Sequence, residues 1–203
     1  MDGTRGALGM SRLFLRCICA ALPLLLLLTA ACGARAPSDA AVPAAEPGAQ
    51  PTAEATPAFA DFTATDLDGN EVTEDIFADH SLTMVNVWGT YCSPCIREMP
   101  DLGALSEEYA DKGVQFIGIV IDVPRIDHPL LDTAKQIVAD TGADYLHLLP
   151  SDDLAEIKLN TVTAIPTTFF VDAAGNIVSR DFVGSNSADG WRRVIDDILA
   201  LML

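Results

Sequence analysis

Two cysteines separated by Ser-Pro, Cys92 and Cys95, stand between two patterned segments. Before them runs Leu82 to Trp88 (LTMVNVW), apolar and β-branched as a buried strand should be. After them Ile96, Met99, Leu102, Leu105 and Tyr109 recur every three to four residues, which makes one apolar face of a helix starting near Ser93. The cysteine pair therefore occupies a strand-to-helix turn. That arrangement restricts the fold more than any other feature of the chain.

Two thiols three residues apart in a first helical turn can reach the ~5.5–6 Å Cα separation that a disulfide prefers. Pro94 suits that turn, because its missing N–H is no loss there and its φ is already helical. Cys92 then lies where unpaired backbone N–H groups and the helix dipole favour negative charge, which lowers a thiol pKa and supplies the reactive thiolate. The spacing predicts Cys92 as the exposed attacking sulfur. Cys95, one turn inward and shielded by Trp88 and Tyr91, resolves the mixed disulfide. A permanent structural disulfide here closes so short a loop that it adds little stability. A metal site needs further ligands, and His80, His128 and His147 have no useful spacing from the pair. Neither a metal nor a cofactor is expected.

The rest of the domain reads as alternating elements. Phe59–Thr65 and Glu71–Thr73 form a hairpin around Asp68-Gly69. Val114–Val123 is a continuous apolar strand, and Leu130–Thr141 is a helix stopped by Gly142. A short helix is expected over Asp152–Leu159. Thr167–Val171 is a strand, Asp172–Asn176 a turn and Ile177–Phe182 the returning strand. Trp191, Val194, Ile195, Ile198, Leu199 and Met202 mark a final amphipathic helix. This order implies an α/β fold, a mixed central sheet with helices on both faces. His147 falls in the apolar stretch Tyr145–Leu149 and reads as a packed or hydrogen-bonded side chain, and Met84 and Met99 read as core filling.

The N-terminal quarter carries an address. Arg5, Arg12 and Arg16 precede an apolar run from Cys17 to Ala31. As a helix that run rises about 22 Å, short of the roughly 30 Å hydrocarbon core, so residues 1–31 read as a secretory signal. Residues 32–58 read as a disordered tether, since ten of the 26 from Gly33 to Ala58 are alanine, five are proline, and none is aromatic. Residues 59–203 are left as the folded domain. With 12 Lys+Arg against 29 Asp+Glu, the formal net charge of −17 argues against nucleic-acid partners.

Several segments resemble known families. Leu28-Thr29-Ala30-Ala31-Cys32-Gly33 is similar to the lipobox of bacterial lipoproteins, with Thr29 departing from the usual aliphatic residue. That similarity implies lipidation at Cys32 and a membrane anchor. Trp88 to Pro100 resembles the active-site segment of the thioredoxin-like superfamily, in its TlpA/ResA-like branch of exported thiol-disulfide oxidoreductases. Ala164 to Asp172 (AIPTTFFVD) resembles the branch's cis-proline segment, Val123–Leu159 its central insertion, and Phe59–Thr73 its N-terminal hairpin.

The resemblance implies a thioredoxin fold and a role for particular residues. Pro166 would hold a cis peptide bond facing the cysteines, and the Ile165 backbone would pair with an extended substrate, on a surface shared with Trp88 and Tyr91. Asn86 replaces the buried acid of thioredoxins proper, which leaves Glu98, three residues after Cys95, as the acid–base group. The implied partners are oxidised exported proteins such as apocytochrome c and a membrane electron donor of CcdA or DsbD type. A disulfide oxidase or isomerase, and a lipid-anchored binding module with a static cysteine staple, remain the alternatives.

Overall fold

The computed structural model describes residues 58–202. The expected signal segment, Cys32 and most of the tether lie outside the described residues. Within them, no helix is long and apolar enough to cross a membrane.

A short antiparallel pair, β1 (Thr63–Thr65) and β2 (Glu71–Thr73), opens the described chain. Then follow β3 (Leu82–Trp88), α1 (Ser93–Ala110), β4 (Val114–Val120), α2 (Leu131–Thr141), β5 (Leu146–Leu148) and α3 (Asp152–Ile157). The chain ends with β6 (Thr167–Asp172), β7 (Phe182–Val183) and α4 (Ala188–Leu201). The main sheet has the order β5-β4-β3-β6-β7. Its first three strands are parallel, whereas β6 runs antiparallel to β3 and to β7.

β3 is buried along its whole length because both faces of the sheet are covered. Side chains alternate across it. Val85 and Val87 join Phe59, Phe62, Phe77, Ile117, Phe169 and Leu154 of α3 on one face. Met84 packs on the other with Leu102 and Leu105 of α1, and with Trp191 and Ile195 of α4. Trp88, at the end of β3, joins Met99 of α1 and Ala134 of α2. α1 continues through Pro100 despite losing one backbone hydrogen bond there, since its apolar face is fully engaged. It also lies so close to the end of α2 that a Cβ on Gly103 would meet the Gly142 carbonyl oxygen at 2.2 Å.

Four expected elements differ, the strand expected over Val114–Val123 ending already at Val120. The strand expected from Phe59 is shortened to Thr63–Thr65: Phe59 and Phe62 both enter the core, a spacing of three that extended chain cannot provide, and Asp61 turns with φ of 60°. The strand expected over Ile177–Phe182 is reduced to a single bridge, Val171 to Ile177, and the pair Phe182–Val183. Ser179 Oγ accepts the Phe170 N–H at 2.9 Å, so a side chain takes the place of a strand carbonyl. The Asp152–Leu159 helix divides into α3 and a 3₁₀ turn over Leu159–Thr161. A strand not expected, β5, occupies the stretch around His147.

Candidate active site

β3 delivers the chain to the cysteines, and α1 receives it. Cys92 is the N-cap of α1, and its Sγ accepts the Cys95 N–H at 3.2 Å. Ser93 and Pro94 fill the first helical positions, where a proline displaces no hydrogen bond. Cys92 and Cys95 form a disulfide with their Cα atoms 5.3 Å apart. The expectation of an exposed Cys92 is corrected: Cys92 is 5% exposed and Cys95 1%, both within the apolar cluster of Trp88, Met99 and Val120. Tyr91 shields neither sulfur by burial, being 69% exposed; Trp88, fully buried, is the wall beside the pair.

The loop between β3 and Cys92 is held from the neighbouring strand's end. Asp122 Oδ1 accepts the Thr90 N–H at 3.0 Å, and Asp122 Oδ2 accepts the Thr90 hydroxyl. Gly89 leaves room for two side chains that close on the loop, since a Cβ there would lie 3.1 Å from both Ile165 Cδ1 and Tyr91 Cε1. Ile165 packs against the cluster that holds both cysteines. The Ile165–Pro166 peptide bond is cis, and the Pro166 carbonyl accepts the Gly184 N–H at 2.8 Å. Trp88, Cys92, Cys95 and Ile165 are thus brought together, with Tyr91 at the rim.

Glu98 is 3% exposed on the inner face of α1. Its Oε1 accepts the Asn186 N–H at 2.9 Å and the Trp191 indole N–H at 2.5 Å, while Oε2 has no protein partner among the described residues. Burial pushes its carboxyl above the ordinary value, opposed by these two donors and reinforced by Asp101. Glu98, three residues after Cys95 on α1, therefore anchors the start of α4. Glu98→Leu is expected to lower unfolding stability by about 2–4 kcal/mol, because two buried N–H groups lose their acceptor, and Glu98→Gln by about 1 kcal/mol. Urea midpoints of the two variants check this; equal midpoints would show that the two bonds contribute nothing. Asn86 is also buried, and its Nδ2 donates to Thr168 Oγ1 at 2.9 Å, tying β3 to β6.

Asp122, Asn186 and Trp191 escape a reading of the sequence. Their partners lie 32, 88 and 93 positions away, and no local spacing signals such pairs.

A sheet that turns antiparallel at β6, with a cysteine pair capping the helix after its central strand, is the thioredoxin fold. The comparisons with known proteins place the chain more narrowly. Residues 50–196 match the Redoxin family, and the chain belongs to that family. Within the thioredoxin-like superfamily it is a TlpA/ResA-like member.

It is 29% identical over 123 residues to the thiol-disulfide oxidoreductase ResA of Bacillus thuringiensis subsp. konkukian, an alignment covering 58% of this chain and 63% of that protein. It is 26% identical over 138 residues to ResA of Geobacillus kaustophilus, covering 68% and 74%. A crystal structure of a thiol:disulfide interchange protein of the thioredoxin family from Chlorobium tepidum TLS superposes with a TM-score of 0.58 at 26% identity, covering 70% of this chain and 97% of that one. The match spans just under two thirds of the first of these relatives.

Proposed function

We propose that this protein is a thiol-disulfide oxidoreductase that reduces disulfides in exported proteins. The observation that carries the reading is the cysteine pair itself: Cys92 caps α1 with its sulfur accepting the Cys95 N–H, and is bonded to Cys95 one turn on. In the reduced protein the Cys92 thiolate, favoured by the helix N-terminus, attacks one sulfur of a client disulfide and displaces the other as a thiolate. The Cys95 thiolate then attacks Cys92 of the mixed disulfide. The client leaves with two thiols, and the protein keeps the Cys92–Cys95 disulfide. Two electrons pass to the client, and a membrane donor of CcdA or DsbD type returns them.

Glu98 serves as the acid–base group, its raised carboxyl pKa bringing it toward the range useful for proton transfer. The Ile165 backbone and Pro166 receive an extended client segment, with the exposed Tyr91 beside it; Trp88, fully buried, lies behind the disulfide and does not meet the client. Clients include apocytochrome c or another oxidised secreted protein. A signal at 1–31 and lipidation of Cys32 hold residues 59–203 outside the cytoplasm on a tether. The names of the ResA relatives and of the interchange proteins sharing the fold support the chemistry.

The direction of transfer is tested by equilibrating the purified domain with glutathione and quantifying the Cys92–Cys95 disulfide. A reductase is expected to lie nearer thioredoxin, about −270 mV, than the strong oxidant DsbA, about −120 mV. A potential at the oxidant end assigns the protein to disulfide formation instead.

A further inference from the structure

Trp88 is fully buried in the cluster that holds the disulfide, and its indole N–H must find an acceptor there or remain unpaired. The acceptor is not on a neighbouring strand. It is Nδ1 of His147, at 3.1 Å, on β5, two strands away across β4. The contact passes over Gly118, in register between Asn86 of β3 and His147 of β5. A Cβ at Gly118 would lie 2.1 Å from His147 Nδ1 and 3.0 Å from Trp88 Nε1, so the bond exists only because that residue is glycine. The other ring nitrogen, Nε2, pairs with the Ala143 carbonyl at 2.9 Å. A carbonyl only accepts, so Nε2 carries the proton and Nδ1 is free to accept from Trp88. His147 is itself buried, stacked on Tyr145 with ring centroids 4.6 Å apart.

We infer that His147 is a positioning residue for the dithiol: from the sheet edge it fixes the orientation of Trp88, and through Trp88 the dry wall against Cys92 and Cys95. It touches neither sulfur's chemistry and acts only through the indole. Freed from His147, the indole N–H has to turn toward water, and the sulfurs lose their dry neighbour. A thiolate is better solvated in the wetter site, so the dithiol form gains relative to the disulfide. This inference rests on the exchange chemistry proposed above, and its test separates the two.

The full chain and its His147→Leu, His147→Gln and Trp88→Phe variants are equilibrated with glutathione and followed by thiol quantification and tryptophan emission. Glutamine presents an oxygen acceptor and an N–H donor at a spacing like that of the two ring nitrogens. Leucine presents neither. His147→Leu is expected to shift the equilibrium constant about tenfold toward the dithiol, about 30 mV for two electrons, and to alter the emission change on reduction. His147→Gln restores both to within about twofold of the parent. Combining Trp88→Phe with His147→Leu is expected to shift the constant no further than Trp88→Phe alone, since the bond is already gone. If His147→Leu does not fold, His147→Gln and Trp88→Phe decide alone: glutamine must match the parent and phenylalanine must shift. Equilibrium constants unchanged in every folded variant, or a shift toward the disulfide, overturn the role of His147 while the exchange chemistry stands. A parent protein that exchanges no disulfide at all overturns both.

Discussion

Replacing Cys92 with alanine is expected to reduce insulin disulfide reduction by at least about 10³-fold, because no other described residue supplies a sulfur nucleophile at a helix N-terminus. Cys95→Ser should behave differently. It keeps the nucleophile and removes the group that releases the client, so the mixed disulfide forms and then persists. The two variants must therefore separate: one bonds to nothing, and the other accumulates covalent complexes through Cys92. Non-reducing electrophoresis and mass spectrometry of the trapped species check the result and name the clients. Retained reduction by Cys92→Ala would mean the pair is a structural staple. The reverse pattern, trapping through Cys95, would exchange the two roles. The near-equal burial of the sulfurs in the disulfide form makes this separation informative, since exposure alone does not decide which one attacks.

The second large effect is on stability against pH. Burial holds the His147 imidazole from its ordinary 6.5 down to about 4, outweighing the Ala143 carbonyl and Asp144, both of which favour the cation. The sign follows from linkage: the unfolded chain takes up this proton near 6.5, whereas the folded protein refuses it until about 4. Stability is thus intact above pH 6.5 and is lost as pH falls toward 4, by up to about 3 kcal/mol from this residue. Glu98 acts in the opposite sense. Its carboxyl is raised, so its contribution is present below the ordinary carboxylate range and lost as pH rises through the folded value. Urea unfolding of the oxidised protein at pH 7.5, 5.5 and 4.5, beside His147→Gln, isolates the histidine contribution. The parent should lose its advantage over the variant on acidification. A constant difference across that range would contradict a buried neutral imidazole.

Much of this protein is legible in its sequence. The run LTMVNVW reads as a buried strand, and it is β3. The apolar spacing from Ile96 to Tyr109 specified α1 even across Pro100, because burial of one continuous face outweighs a single lost hydrogen bond. Ser-Pro between two cysteines at that junction already described the redox pair. The strand ends differ because side chains take over there: Ser179, nine residues on, captures the Phe170 N–H, and Phe59 and Phe62 turn inward onto Phe77 and Phe169, contacts that local alternation does not encode.

The site divides along the same line. Local sequence determined the chemistry: which residues carry sulfur, where a helix begins, and which carboxylate follows one turn later. Tertiary structure decided the surroundings, with Asp122 under the loop, Trp191 and Asn186 on Glu98, and His147 reaching Trp88 over Gly118. Propensity and periodicity act between near neighbours, whereas a buried polar group accepts whatever partner the packed sheet brings within about 3 Å.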